Sequence, residues 1–316
     1  MYKLLVKSFL VFFVFSSCSK IIPIDDPDNE KHVDVIGVMN SDSILKVNVS
    51  KSVSILQSSE NLYYEENNSI LSKIDFVSNA TIKIYENNVY KDTLLFTEYG
   101  NYLANFKPVV GNKYKIEVNV PNCEQVDAEN IVPEKVKIDS INTSTVSGSS
   151  FIDEEKMLRC EIHFTDPSDV SNYYYLNVFG KITYKSYDES LECFFVETYS
   201  KFIDFDTNDP MVDNDSKLNN GIVFKDDLIN GKNYTLNIEF DKNFSDTTMF
   251  HFNLYSISSD YYLYLKSIDK QINAKDGGPF TESVPVYTNV NNGVGIFAGT
   301  NKSTYSILVR NDDVNY

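Results

Sequence analysis

Histidine is the side chain best suited to proton transfer near neutral pH, and this sequence of 316 residues has three of them. A nucleophilic site needs such a base beside a Ser or Cys, with a third group that orients it. His32 lies in a short polar segment near the N-terminus, whereas His163 and His251 fall on the polar phase of predicted strands. The sequence contains neither a GxSxG elbow nor an HExxH pair. We therefore expect a protein that is not an enzyme; the alternative is a hydrolase of unfamiliar design that uses His163 or His251.

Oxygen ligands suited to calcium are concentrated in one acidic segment, where the candidate ligands are Asp204, Asp206 and Asp209. The segment lacks the Gly and the terminal Glu of an EF-hand loop. An acidic, solvated hairpin loop is the favoured interpretation, and a calcium-stiffened loop is the alternative. The Gly293-Val294-Gly295 run precedes a predicted strand, so it indicates a bend that lets two backbones approach, not a phosphate-binding loop. No cofactor is predicted.

Residues 1–17 have the features of a secretory signal, with Lys3 and Lys7 ahead of an apolar run that is too short to span a bilayer. The next residue is Cys18, and Phe15-Ser16-Ser17-Cys18 is similar to a bacterial lipobox, although Phe15 replaces the usual Leu. An ordinary signal peptide with an incidental cysteine is the alternative. The acidic, proline-containing residues 18–31 predict a tether, and they resemble the signal that sends lipoproteins of the Bacteroidota to the outer leaflet of the outer membrane. We expect an acyl anchor on Cys18 and a location at the cell surface.

Three further cysteines remain, an odd number in an exported chain: Cys123, Cys160 and Cys193. Alternation places Cys160 on one buried face together with Leu158 and Ile162. A buried, inert thiol is therefore the favoured interpretation. A disulfide between Cys160 and Cys193 is the alternative, because both lie on predicted strands of one domain.

The chain is strongly acidic, with 45 Asp and Glu against 28 Lys and Arg. Removal of Lys3 and Lys7 with the signal takes the net charge from −17 to −19. Such a surface repels polyanions, so nucleic acid is excluded as a partner and the protein should stand off an anionic lipopolysaccharide layer.

Short alternating runs separated by Asn, Asp, Gly and Pro predict a mainly β fold of antiparallel strands. A boundary at Val132-Pro133 divides it into two β-sandwich domains, an immunoglobulin-like one over residues 32–133 and a β-rich one over residues 134–316. The period changes once, where apolar residues recur at helical spacing behind Ser258 and predict one α-helix near residues 259–275.

Two features of the sequence predict contact or modification at the protein surface. The long polar insertion 57–78 presents Tyr63 and Tyr64, which are candidates for ligand contact; a variable loop without a binding role is the alternative. Four short Asp-Ser/Thr patterns are similar to the acceptor pattern for O-glycans in Bacteroidota, with acceptors Ser43, Thr93, Ser140 and Thr247.

The ordered set of these pieces resembles a Bacteroidota lipoprotein family catalogued as domain of unknown function 4249. The resemblance covers nearly the whole mature chain and is carried by the lipobox, Gly111-Asn112-Lys113-Tyr114, Val132-Pro133, Phe164-Thr165-Asp166-Pro167 and, most specifically, the stretch from Tyr261 to Phe297. It implies a frequent genetic neighbourhood beside TonB-dependent outer-membrane receptors, and it brings no catalytic residues. We therefore expect a non-enzymatic, surface-anchored lipoprotein that assists a TonB-dependent receptor, by presenting substrate or capping the barrel. The alternative is a surface adhesion or structural module that binds through its loops.

Overall fold

The structure, a computed structural model, describes residues 32–52, 74–147, 156–168, 170–188, 193–213, 216–241, 247–276 and 284–310. The predicted anchor Cys18 and the predicted contacts Tyr63 and Tyr64 lie outside these residues. Within them the chain forms eighteen strands and one helix: β1 (Val33–Asn40), β2 (Lys46–Lys51), β3 (Asp75–Phe76), β4 (Thr81–Glu86), β5 (Val89–Thr93), β6 (Leu95–Phe96), β7 (Asn101–Leu103), β8 (Lys113–Asn119), β9 (Val126–Ile131), β10 (Ile138–Ser147), β11 (Lys156–Thr165), β12 (Tyr173–Asp188), β13 (Cys193–Phe202), β14 (Lys217–Leu218), β15 (Gly221–Lys225), β16 (Asn233–Asp241), β17 (Thr247–Ile257), α1 (Ser259–Asp276) and β18 (Val294–Arg310). The mainly β fold with one helix is confirmed.

One large sheet runs through the molecule, in the order β14-β15-β12-β17-β18-β1-β2-β7-β6, with β13 paired to β12 and β3 paired to β2. A four-stranded sheet, β5-β4-β8-β9, and a three-stranded sheet, β10-β11-β16, complete the fold. Each smaller sheet shares a hydrophobic core with strands of the large one, which is the layering of a β-sandwich.

The first core is built from alternating residues, as strand β8 shows. Tyr114, Ile116 and Val118 are buried there, whereas their neighbours along the strand face outward. The β4–β5 hairpin turns at Asn87 and Asn88, both with the positive φ that a tight hairpin turn requires. Val33, Val35, Val47 and Val49 of the large sheet close this core from the other side.

The second core lies between the three-stranded sheet and strands β12, β15 and β17. Leu158, Cys160, Ile162 and Phe164 are buried on one face of β11, as the alternation predicts. Four large aromatic side chains fill the remaining space: Tyr174, Phe224, Phe240 and Phe250.

Strand β18 connects the two cores. Its first residues pair in parallel with β1, and Phe297 packs in the first core, whereas its whole length from Thr300 onward pairs antiparallel with β17. Gly295 has a φ of 107°, and a Cβ atom there would lie 2.1 Å from the carbonyl oxygen of Val35. The glycines at the start of β18 therefore allow the close backbone approach that the sequence predicts.

Helix α1 begins after Ser258, whose hydroxyl accepts a hydrogen bond from the backbone N–H of Tyr261 at 3.4 Å. Leu265 and Tyr262 pack beside Val223 and Ile257 of the large sheet. The helix thus covers the face of the sheet that points away from the second core.

Candidate functional site

Strand β13 (Cys193–Phe202) and residues 179–188 of β12 form a two-stranded ribbon, in which the β13 side is exposed. The pairing runs without a register shift from Phe179 opposite Phe202 to Asp188 opposite Cys193. On its other side, β12 pairs with β17 only as far as Thr183. The end of the ribbon therefore extends beyond the sheet.

Every residue of β13 is exposed, on both faces of the strand. Phe194 is 67% exposed and Val196 is 65% exposed, and Phe195, Tyr199 and Phe202 are also exposed. Tyr187 of β12 contacts Phe194, with ring centroids 4.9 Å apart. Exposed aromatic and aliphatic side chains of this density are typical of surfaces that bind other proteins.

A second group of exposed apolar side chains lies along residues 89–99, where the chain passes from the four-stranded sheet to the large sheet. Its exposed members are Val89, Tyr90, Leu95, Phe96 and Tyr99, which we call the β5–β6 patch. Leu94, between the two strands, is buried in the first core and holds the segment in place.

A carboxylate fixes the position of the patch. Glu86 accepts a hydrogen bond from the Lys91 ammonium at 2.7 Å and others from Asn112 at 3.0 Å and from the Tyr114 hydroxyl. The hydrogen bond from Lys91, followed by that from Tyr114, lowers the pKa of Glu86 to about 2. Strand β5 is therefore held to Glu86, at the end of β4, by a charge-assisted hydrogen bond from Lys91.

The acidic segment that the sequence singles out covers the outer edge of β16. Asp206 exchanges backbone hydrogen bonds with Glu239 at 2.7 and 2.8 Å, and the Thr207 hydroxyl donates to the carbonyl of Asn237 at 2.6 Å. Asp209 is buried and accepts hydrogen bonds from the Tyr234 hydroxyl at 2.5 Å and from the backbone N–H of Met211 at 3.0 Å.

Asp204, Asp206 and Asp209 are therefore not brought together as a ligand set, since Asp204 and Asp206 are exposed while Asp209 points inward to Tyr234. Among the residues that the structure describes, no group of three or more His, Cys, Asp or Glu side chains is arranged to hold a metal ion. The segment and β16 do line a cleft of about 390 Å³, together with Arg159 and Glu161. Arg159 is already bonded there to Glu239, at 2.6 Å.

The two histidines on strands are bonded to neutral partners. His163 contacts the Thr235 hydroxyl at 2.8 Å and the Asn142 amide at 3.1 Å, and His251 contacts the Ser306 hydroxyl at 2.7 Å. The Ser306–His251 pair has no orienting carboxylate among the described contacts, and it lies on an exposed sheet surface rather than in a cleft. The predicted polar phase of both histidines is confirmed.

Cys160 and Cys193 are free thiols in this structure, as is Cys123. Cys160 is fully buried in the second core, where burial raises the pKa of its thiol to about 12. Cys193 is exposed at the outer end of the ribbon. The predicted burial of Cys160 is confirmed.

The predicted O-glycan acceptors lie apart from one another. Ser43 is exposed, whereas the other three are half-buried: Thr93, Ser140 and Thr247. Thr93 shares a hydrogen bond of 2.9 Å with the Tyr90 hydroxyl, at the border of the β5–β6 patch. Their glycosylation stays a prediction.

The sequence did not indicate which apolar residues stay exposed. The sequence predicts a strand at Cys193, but the Phe and Val residues that follow have the composition of a buried strand. The detectable signal is the density of aromatic residues on a strand that carries only one Glu and one Lys.

Comparison with known families agrees with the sequence pattern. None of the helices in the described residues is long and apolar enough to cross a membrane. No match was found among curated proteins. One family model, described as domain of unknown function (DUF4249), matches residues 20–306, which include both cores and both apolar surfaces. The chain belongs to this family.

Proposed function

We propose that the protein is a non-enzymatic lipoprotein, anchored at the cell surface through Cys18, that assists a TonB-dependent receptor of the outer membrane. The observation that carries this proposal is the β5–β6 patch, an exposed apolar surface on the half of the chain that follows the anchor. The receptor itself is suggested by the family resemblance.

The patch has the composition of a protein contact. Five side chains, including two tyrosines and one phenylalanine, are exposed within residues 89–99, and Leu95 is 70% exposed. Interfaces are enriched in aromatic residues, and the fully buried centre of an interface is depleted of charge. A protein surface is a better match for these residues than a sugar or an anion is.

The anchor keeps this surface near the membrane. Residues 19–32 separate Cys18 from β1, and a chain of this length spans at most about 50 Å when fully extended. Strand β1 lines the first core, against which the buried Leu94 holds the patch. A membrane protein beside the anchor is therefore within reach of the patch.

The net negative charge of the chain supports an uncharged protein surface as the partner of the β5–β6 patch. A net charge of −17 disfavours adsorption to anionic headgroups, so the membrane surface itself is a poor ligand for the patch. For the same reason, any nutrient that the protein presents to a receptor should not be a polyanion.

The test is affinity purification of the tagged, detergent-solubilised lipoprotein from its own cells, with all co-purifying proteins identified by mass spectrometry. We expect a TonB-dependent receptor in near-stoichiometric amount, and its loss in Leu95→Asp. Leu228→Asp is the matched control, because Leu228 is 60% exposed on a turn outside the patch. Recovery of the acylated wild-type lipoprotein without a receptor would overturn the receptor role, and equal recovery with Leu95→Asp would exclude the patch.

A further inference from the structure

Strand β13 has an outer edge that pairs with no other strand in the described residues. It has ten residues, no proline, no glycine and no bulge in its pairing with β12. Natural proteins usually protect such an edge with short strands, bulges, prolines or covering segments, because an open edge is a template for another strand.

Several other edges of the described fold are protected in those ways, whereas the outer edge of β10 also pairs with no described strand. The outer edge of β16 is covered by Asp206 and Thr207, and that of β9 is bridged by Asn291. The β4–β5 pair has a register shift between Ile84 and Tyr85, and β3, β6 and β14 have two residues each. Among described strands of five or more residues, β13 is the one with every residue exposed.

The sequence of β13 is complementary to itself in one antiparallel register. When Tyr199 of one copy lies opposite Tyr199 of another, Glu197 lies opposite Lys201, and the two-fold symmetry repeats this ion pair. The same register places the exposed Val196 opposite the exposed Phe202, and Thr198 opposite Ser200. Opposite-charge and apolar cross-strand pairs stabilise antiparallel pairing.

Charge also favours a second copy at this edge. The chain has a net charge of −17, which opposes contact between most parts of its surface. Strand β13 carries one Glu and one Lys and is therefore neutral. The two paired strands therefore bring no net charge of their own to the contact.

We infer that β13 is a self-association edge, at which two copies of this chain pair their β13 strands antiparallel about a two-fold axis at Tyr199. The two large sheets then continue into one another. The apolar side chains of the two ribbons, which are exposed in one copy, lie next to one another in the pair. This contact is separate from the β5–β6 patch, so a dimer and a receptor contact can be tested independently.

The first test uses charge exchange between two differently tagged full-length copies, expressed together in their native membrane. Wild-type copies should purify together. Glu197→Lys with itself places Lys opposite Lys, and Lys201→Glu with itself places Glu opposite Glu, so each should reduce co-purification about tenfold. Glu197→Lys together with Lys201→Glu restores opposite charges at both pairs, and co-purification should return. A folding defect cannot be repaired by mixing in this way.

The second test is oxidative cross-linking of Tyr199→Cys in the Cys193→Ser background. Directly opposed residues of antiparallel strands have Cα atoms about 4.5 to 5.5 Å apart, within the range of a disulfide. A product of twice the chain mass should form, and it should be absent with the control Leu228→Cys. Equal co-purification of all the charge variants, or no Tyr199→Cys product above the control, would overturn the proposal. A cross-link from the Tyr199→Cys variant to a different protein would also overturn it, because a foreign strand would then occupy the edge.

Discussion

Strands β13 and β16 are both edge strands of about the same length, but only the outer edge of β16 is covered by another described segment. The nine residues of β16 bury Leu236, Ile238 and Phe240 in the second core, and Asp206 and Thr207 bond to the outer edge of the strand. The ten residues of β13 are all exposed, and its outer edge pairs with no described strand. The described residues therefore contain both a covered edge and an open one.

Because this fold covers the outer edge of β16, the open outer edge of β13 does not reflect a general inability to cover edge strands. The protein uses a whole acidic segment to cover β16, whereas it extends β13 away from the body with apolar side chains on both faces. An open, regular, apolar edge has a cost in solubility, and function is the usual reason to keep it.

The largest effect is expected when the cover of β16 is removed. Asp209→Ala deletes the buried carboxylate that accepts hydrogen bonds from Tyr234 and Met211, and it leaves both donors without a partner. We expect a loss of about 2 to 3 kcal/mol in the free energy of unfolding, measured with urea. Asp204→Ala is the matched control, because Asp204 is exposed in the same segment and should change stability by less than about 0.5 kcal/mol. Equal losses of unfolding free energy in the two variants would show that the Asp209 carboxylate does not stabilise the segment that covers β16.

A smaller effect, with a defined pH dependence, is expected at Tyr234. Burial, and then the hydrogen bond to Asp209, raise the pKa of Tyr234 well above its usual range. Tyr234→Phe should cost about 1 kcal/mol at neutral pH, because the hydrogen bond is lost. Above about pH 10 the unfolded wild-type chain releases this proton while the folded chain keeps it, so the wild-type advantage should shrink as the pH rises. The free energy of unfolding of the wild type and of Tyr234→Phe should be measured at pH 7 and near pH 11. A difference between the two proteins that stays constant with pH would contradict the raised pKa of Tyr234.

The smallest effect on stability is expected at the open edge. Val196→Thr on β13 changes a side chain that is 65% exposed, so the free energy of unfolding should move by less than about 0.5 kcal/mol. Ile238→Thr at the centre of β16 is the comparison, because Ile238 is fully buried and should lose more than about 1 kcal/mol. If Val196→Thr were as destabilising as Ile238→Thr, β13 would belong to a core rather than to a contact surface.

Much of the local structure follows from the sequence, because alternation and helical spacing are local signals. The buried face of β11 at Leu158, Cys160 and Ile162 was predicted, and helix α1 (Ser259–Asp276) agrees with the predicted 259–275. The pairing of β18 with β1 was not predicted, since a parallel contact between residues about 260 apart leaves no local pattern. The predicted boundary falls between β9 and β10, while Phe297 returns to the first core.

The candidate surfaces were harder to predict than the cores. Alternation shows which residues share a face but not whether that face is covered, so it does not identify the apolar residues of β13 and of the β5–β6 patch as exposed. The oxygen ligands of the acidic segment are visible in the sequence, but its role in covering β16 depends on Tyr234, about 25 residues further along the chain.

Amide hydrogen exchange of the full-length protein, followed by mass spectrometry at several concentrations, tests the contrast between the two edges most directly. Exchange in β16 should be slow at every concentration, because its outer edge is covered within one chain. Exchange in residues 193–202 should be fast in dilute protein and should become slower as concentration rises and the β13 strands of two copies pair. Fast exchange in 193–202 at every concentration, or slow exchange that dilution does not relieve, would contradict an edge that is open in one copy and closed by a second.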